Sequence, residues 1–367
     1  VKRLVLVGGG HSHVEVLRRF ALDPLPGLEL VLISPGRYTP YSGMLPGLVS
    51  GHYSFEQCHI DLEQLCVRAK TRFIIGRVGK LDLPAKRAQC EGGDAIDYDV
   101  LSLDIGSTPP VADIRGAERY GVPVKPVERF LAAWRDILAD AGRRSVHILT
   151  VGGGAGGVEL TLSMQHRARA AAARADFCVV TDSATILPGH AMGVRRRMER
   201  ALRARDVACY ARSRVTEIDA GVARLTDGRP IPADYVVWAT GAAAPAWLRE
   251  TGLATDERGF VVVSAALQSC SHPEVFAAGD VATMQDHPRP KSGVFAVRQG
   301  PPLARNLRHA LVGRPLEAYR PQPTALALIS TGDKHAIASW GPLAWEGDWV
   351  WRWKDRIDRR FMERYRF

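Results

Sequence analysis

Twice in this chain a short apolar run leads straight into a glycine turn that opens a helix, and this pairing restricts the fold more than any other feature. The complete copy is Ser145-Val146-His147-Ile148-Leu149-Thr150-Val151 followed by Gly152-Gly153-Gly154-Ala155-Gly156-Gly157-Val158-Glu159, a G-x-G-x-x-G in its strand-to-helix setting. The other stands at the start, where Lys2 to Val7 runs into Gly8-Gly9-Gly10-His11-Ser12-His13. In such a turn the first glycine bends the chain and the second lets a pyrophosphate approach the backbone. The helix N-terminus then offers free N–H groups and the positive end of its dipole. Gly8 and Gly10 meet those needs. The third position, where helix and strand pack closely, is His13, so taken alone the first copy reads equally well as an ordinary turn.

The segments downstream of the two turns repeat as well. After a helix from Val14 to about Leu22, the run Leu28 to Ile33 suits a buried parallel strand and ends at Ser34, where a dinucleotide fold usually has an acid. Arg37 to Gly47 reads as a turn-rich loop, either a surface loop or a wall of a cofactor pocket. Phe73–Val78, Gly79–Leu83 and Arg87–Cys90 suggest short antiparallel strands, and Tyr98 to Ser107 a buried strand stopped by Pro109 and Pro110. A helix from about Pro126 to Ala141 precedes the second turn. The helix after it runs to Ala173, and the strand Phe177 to Asp182 ends on an aspartate that suits either a ribose hydroxyl or a turn. Tyr235 to Gly241 closes this second unit as Tyr98 to Ser107 closes the first. Finally, Pro273 to Ala282 is an apolar strand ending in Gly279-Asp280, which is expected to set one carboxylate at a helix N-terminus and to return the chain to the first unit.

Composition excludes several alternatives. A chain of 367 residues that is 46% hydrophobic divides into about two domains. No apolar run approaches the ~18 residues that span a bilayer, and the first strand begins at residue 2, so a cytoplasmic protein without a leader is expected. The net charge of +10 is spread over the length, 41 of the 49 basic residues being Arg. Nucleic acid would call for a clustered stripe, and no nucleic-acid partner is expected. Six cysteines include no Cys-x-x-Cys pair, which leaves no metal or disulfide framework.

The ordered set Gly8-Gly9-Gly10, Gly106-Ser107, Gly152 to Glu159, Ala239-Thr240-Gly241 and Phe276-Ala277-Ala278-Gly279-Asp280 resembles the two-dinucleotide-binding-domain flavoproteins of the pyridine nucleotide-disulfide oxidoreductase superfamily. The resemblance implies an α/β fold of two Rossmann-like domains, the NAD(P)H domain (113–254) inserted in the FAD domain (1–112 and 255–320), with a C-terminal segment (321–367). It implies FAD on the first turn, NAD(P)H on the second, and Asp280 on the ribityl chain. Carried over likewise, the cofactor-binding set is Gly8, Gly9, Gly10, His11, Ser12, His13, Ser34, Arg37, Ser42, Met44, Val78 (adenine, through its backbone), Gly106, Ser107, Thr108, Gly279, Asp280 and Phe295. Gly152, Gly154, Gly157, Glu159, Asp182 and Gly241 complete it on the NAD(P)H side. His11 and His13 are expected near the FAD pyrophosphate.

Within that superfamily, dithiol reductases need a cysteine pair beside the flavin, and Pro40 to Gly47 has none. Sulfide:quinone oxidoreductases use a cysteine beyond the Gly-Asp motif, whereas the last one here is Cys270. The remaining branch is similar to type II NADH dehydrogenases, with Pro290 to Gly300 at their quinone-facing segment. Gln299 and Lys291 are the candidate catalytic residues, Lys291 to stabilise negative charge on the reduced flavin or to orient the acceptor. Still closer is the resemblance to the flavoprotein module fused to selenophosphate synthetase, through Gly8 to His13, Tyr38 to Gly47 and Leu103 to Ser107. Against type II dehydrogenases the chain departs at Ser163, where a second glutamate stands, and at Thr181, where the ribose acid stands. The implied reaction is hydride transfer from NAD(P)H to the flavin N5 and then electron transfer to an acceptor, a quinone among the candidates. The alternative is a flavin module serving selenium or sulfur metabolism without rapid NAD(P)H turnover.

At the C-terminus Trp345, Trp349, Trp353, Ile357, Phe361 and Tyr365 recur at four-residue spacing among arginines. That is a basic amphipathic helix whose aromatic stripe faces the protein's own core, a second subunit, or the inner face of the cell membrane.

Overall fold

The structure, a computed structural model, describes residues 1–108 and 114–366. Pro109, Pro110 and the expected domain boundary at 112 and 113 lie outside the described residues. The main elements of the first half are β1 (Lys2–Val7), α1 (His11–Leu22), β2 (Leu28–Ser34), β3 (Arg72–Ile75), β4 (Val100–Leu103), β5 (Gly121–Pro123), α2 (Val127–Ala141), β6 (Val146–Val151), α3 (Ala155–Ala170) and β7 (Ala175–Val180). They are followed by α4 (Met192–Arg203), β8 (Ala208–Tyr210), β9 (Tyr235–Trp238), β10 (Val275–Ala277), α5 (Gly293–Val312), β11 (Ala327–Ser330), β12 (Ala336–Trp340), β13 (Leu343–Gly347) and α6 (Asp348–Glu363).

Two five-stranded sheets, parallel throughout, form the frame, in the orders β10-β4-β1-β2-β3 and β5-β9-β6-β7-β8. Strands covered on both faces must be apolar nearly throughout, as Leu4 to Val7 and Val31 to Ile33 are, all at most 2% exposed. Strand order reverses between β1 and β4 in one sheet and between β6 and β9 in the other. Those are the switch points at whose carboxyl ends open α/β sheets bind ligands. Each glycine turn emerges at one of them.

One hydrophobic core joins β1, β2 and β4 to Phe276, Leu303 and Leu307, so the chain after residue 275 does return to the first sheet. Arg72–Ile75 departs from expectation. It pairs in parallel with β2, and the antiparallel sheet comprises Val78–Asp82, Arg87–Cys90 and Ala95–Asp97. Helix α1 begins at His11, three residues before the expected Val14, with extended Gly10 (φ −68°, ψ 170°) as its N-cap. The loop expected at Arg37 to Gly47 folds into a short strand, a 3-10 turn and a helix that ends on left-handed Gly51. The C-terminal segment is a three-stranded antiparallel sheet, β11-β12-β13, with α6 packed on it. Trp345 belongs to β13, so the aromatic stripe is only partly helical.

Candidate functional site

At the first switch point Gly8 has φ +94°, and a Cβ there would come within 2.3 Å of the Asp104 carbonyl oxygen. A Cβ on Gly9 would meet Leu62 at 2.5 Å and the Ser34 hydroxyl at 3.0 Å, and one on Gly10 would strike the Asp104 carboxylate. Gly8 and Gly10 are therefore required by the approach of Asp104 at the end of β4, and Gly9 by Leu62 and Ser34, as well as by the turn. His13 is buried beneath them. Its Nδ1 lies 2.7 Å from the Gly8 carbonyl, which can only accept, so the ring donates there and its Nε2 accepts from Ser102 Oγ at 2.8 Å. In the complete turn a Cβ on Gly157 would lie 2.1 Å from the Gly152 carbonyl. The imidazole replaces that close approach with a hydrogen bond, so His13 braces the turn and does not reach toward a pyrophosphate as expected. Burial holds its pKa down at about 4.

His11 is different. Its Nε2 is buried without a partner, and its ring sits against Tyr41 and Phe361. Burial lowers its pKa to about 4 against the pull of Asp280. Space is open about Gly106, where a Cβ would meet no atom within 4 Å. An unpartnered buried nitrogen, an open strand end and a helix start fit a dinucleotide.

The ends of β4 and β10 meet at Asp280. Ser107 Oγ donates to its carboxylate at 3.3 Å, and Lys125 reaches the same oxygen at 2.8 Å and Ser107 Oγ at 3.1 Å. Asp280 sits in a single 3-10 turn, Gly279–Val281, rather than at the N-terminus of a long helix, because Ala282–Met284 goes on to pair with Val261–Val263. Helix α5 starts only at Gly293, whose Cβ would fall 2.6 Å from Ser42 Oγ. Asp280, Lys291, Phe295 and Gln299 line one cleft. Gln299 is nonetheless committed to the fold, its Oε1 accepting the Gly279 N–H at 2.6 Å, which leaves it bracing the turn rather than facing an acceptor. The Lys291 ammonium donates to the Ala282 carbonyl and to Thr283 Oγ1 (2.9 Å) and lies 4.0 Å from the Phe260 ring centroid. Burial lowers it to about 8. Arg37 is exposed and paired with Asp61 and Glu63, Met44 and Val78 are buried, and Thr108 is held by backbone bonds to Ala243 in the second unit.

At the second switch point Gly152 has φ +127°, and a Cβ on it would lie 2.4 Å from the Ala239 carbonyl. Gly154, Gly156 and Gly241 face open space. Thr181 packs on Gly153, while Asp182 is 68% exposed with Arg214 3.9 Å away. Glu159 is half-buried on α3, accepts the Ser330 N–H at 2.7 Å, and is pushed by desolvation to about 7. Its counter-charge is Lys354 of α6, which donates to Asp358 (2.7 Å) and to the Gly43 carbonyl. Sequence reading missed Asp104, Lys125, Lys354 and Asp358. For Asp104 the signal was an acid at the end of an otherwise apolar strand.

Comparison with known proteins identifies the family. The family model described as pyridine nucleotide-disulphide oxidoreductase matches residues 2–300. An NADH dehydrogenase-like protein of Bacillus subtilis, YutJ, is 22% identical over 88% of this chain and 87% of its own length. The demethylphylloquinone reductase NdbB of Synechocystis is 26% identical over 92% of this chain and 86% of its own. The sulfide:quinone oxidoreductase of Aquifex aeolicus superposes with a TM-score of 0.83 at 19% identity, covering 100% of this chain and 92% of that one, a likeness of fold. The chain belongs to the pyridine nucleotide-disulphide oxidoreductase family, enzymes that work with FAD and NAD(P)H.

Proposed function

We propose that this chain is an NAD(P)H dehydrogenase with FAD at the first switch point, NAD(P)H at the second, and a quinone as electron acceptor. The observation that carries this reading is the position of both glycine turns at switch points of two parallel sheets, with Ser107 and Asp280 at the strand ends opposite the first. Bound FAD supplies the two-electron chemistry between the nucleotide and the acceptor. This chain's residues bind and orient. The backbone from Gly8 to His11 receives the pyrophosphate, Asp280 accepts from the ribityl chain, and Lys125 and Lys291 bring positive charge to the same cleft. Glu159 and the open turn at Gly154 hold the nicotinamide nucleotide. The shared core of β1, β4, β10 and α5 supports a discontinuous FAD domain with the NAD(P)H domain inserted.

A quinone is the acceptor named for the Synechocystis relative. A lipid-soluble acceptor agrees with the outer face of α6. There Trp349, Trp353 and Ile357 are 48%, 38% and 42% exposed beside Arg352 and Arg356, while no helix among the described residues is long and apolar enough to cross a membrane. We place this face against a membrane surface. The selenium-linked alternative gains no support from YutJ, NdbB or the Aquifex enzyme. The test is anaerobic stopped-flow: the yellow protein bleaches within seconds of NADH or NADPH addition and recolours with a menaquinone analogue. A flavoprotein that neither nucleotide reduces would sink the reading.

A further inference from the structure

Asp104 contacts neither nucleotide in the proposed function, yet three segments of the first switch point converge on its side chain. Its Oδ2 accepts the N–H of Ser12 at 2.8 Å and of His13 at 3.2 Å, and its own carbonyl accepts the Gly10 N–H at 3.2 Å. A Cβ on Gly10 would lie 2.3 Å from Oδ1 and one on Gly279 2.4 Å from the same atom. With 3% of the residue exposed, the glycine turn, the end of β4 and the Gly279–Asp280 turn all rest on one carboxyl group. Two N–H groups that a helix start would offer to a phosphate are thereby already taken by an acid.

The groups facing it leave that acid poorly compensated. From α1 come His11 and His13, both held neutral by burial. From the 3-10 turn comes Asp280, a like charge. Lys125, ahead of α2, pairs with Asp280, and Lys291, ahead of α5, directs its charge to Asp256 first and then to Asp280, so neither is directed at Asp104. Gln299 on α5 and Ser102 on β4 are neutral. Burial already raises Asp104 to about 7. A pyrophosphate at the same helix start adds negative charge in a water-poor site and raises it further.

We propose that Asp104 takes up one proton from solvent as FAD binds and releases it as FAD leaves, so that flavin affinity falls as pH rises. The inference rests on the first turn being the FAD site. Protonated, the side chain still accepts from Ser12 and His13 through Oδ2, so the brace survives while the repulsion goes. Asp104 is thus a positioning residue that makes the flavin site sensitive to pH.

Diluting the purified holoprotein and following the regain of flavin fluorescence gives the FAD Kd. It is expected to be nearly constant below about pH 7 and to rise by up to about tenfold per pH unit above it. Calorimetry of FAD rebinding at about pH 8, in two buffers of different ionisation enthalpy, should show close to one proton taken up. Asp104→Asn should flatten the pH dependence and abolish the uptake. Lys291→Met should keep both, which separates Asp104 from the lysine that titrates in the same range. A Kd flat from pH 6 to 9, no uptake by the wild-type protein, or a dependence that vanishes in Lys291→Met overturns the proposal, whether or not the Asn variant folds. A purified protein that carries no flavin overturns the FAD assignment itself.

Discussion

The Lys125 ammonium lies 2.8 Å from an Asp280 carboxylate oxygen, although 155 positions separate the two residues. Lys125 leads into α2 beside the second sheet and Asp280 follows β10 of the first, so this ion pair joins the two units at the proposed meeting place of the nucleotides. The Lys125 side chain is 48% exposed, and such pairs contribute about 0.2–1 kcal/mol. Lys125→Met is therefore expected to weaken FAD binding by no more than about fivefold, whereas Asp280→Ala, which removes the proposed ribityl partner, is expected to cost more than about tenfold. Flavin fluorescence on dilution measures both. An equal loss in the two variants would mean that Asp280 acts only through Lys125.

Glu159 gives a pH signature in stability. Burial raises its pKa from 4.5 in a free chain to about 7 in the folded protein. Between those values the folded state binds more protons than the unfolded one, so stability falls as pH rises from about 4.5 to about 7 and then levels off. Glu159→Gln keeps an acceptor for the Ser330 N–H without the charge. Its stability relative to wild type should rise by on the order of 1–3 kcal/mol between pH 5 and pH 8. Urea unfolding at the two values checks this, and a difference independent of pH refutes it.

The second glycine turn was legible because a local pattern suffices: strand, G-x-G-x-x-G and helix are contiguous, and the structure has them at β6, Gly152–Gly157 and α3. His13 was legible as a departure but not as a brace. Its partners Gly8 and Ser102 come from two different strand ends, and only the pairing of β1 with β4 brings them together. Asp280 stands out in the sequence through its Gly-Asp motif. A strand followed by Gly-Asp does not disclose that Ala282–Met284 goes on to pair with Val261–Val263. Lys354 and Asp358 looked like two more charges on a basic helix, and only docking of α6 near Gly43 and Glu159 buries them.

His13→Ala should test the brace. It leaves the Ser102 hydroxyl and the Gly8 carbonyl without their partner and opens a void beneath the turn. The expected loss is about 2–4 kcal/mol of stability. His13→Gly restores the third glycine yet should be no better, because α1 is already set at the distance the imidazole requires. Urea midpoints measure both variants, and recovery of wild-type stability by the glycine variant would show that the ring is not needed.

We propose that nucleotide preference turns on Asp182 and Arg214. Thr181, at the usual position of the ribose acid, has its hydroxyl turned to the Ser183 N–H at 3.3 Å, which leaves Asp182 as the acid nearest the end of β7. Asp182→Ala frees Arg214 for a 2′-phosphate and should shift the NADPH:NADH ratio of kcat/KM upward, by about tenfold if one charge-assisted contact is at stake. Arg214→Ala should move it the other way. Steady-state rates with both nucleotides decide, and movement of the two variants in the same direction would refute the assignment.

The C-terminal aromatic residues look like one stripe but split into two. Each four-residue step turns about 40° past a full helical turn, so a stripe at that spacing winds around α6. Trp349 and Trp353 stay exposed with their rings stacked, whereas Phe361 is 5% exposed and stacks on Tyr41 at 4.2 Å, and Tyr365 bonds Glu15 of α1. The two halves should respond oppositely. Phe361→Ala should cost about 3–5 kcal/mol of stability. Trp349→Ala with Trp353→Ala should leave stability nearly unchanged but weaken binding to anionic vesicles by more than about tenfold. Burying even ~60 Å² of each ring is worth about 1.5 kcal/mol at ~25 cal/mol per Å². Because Arg352 and Arg356 flank the rings, added salt should weaken vesicle binding by the wild-type protein as well. Co-sedimentation measures this. If the double variant pellets with vesicles as the wild type does, the exposed pair does not face a membrane, and its next assignment is a contact with a second copy of the chain, visible as a concentration-dependent dimer that the same substitutions dissolve.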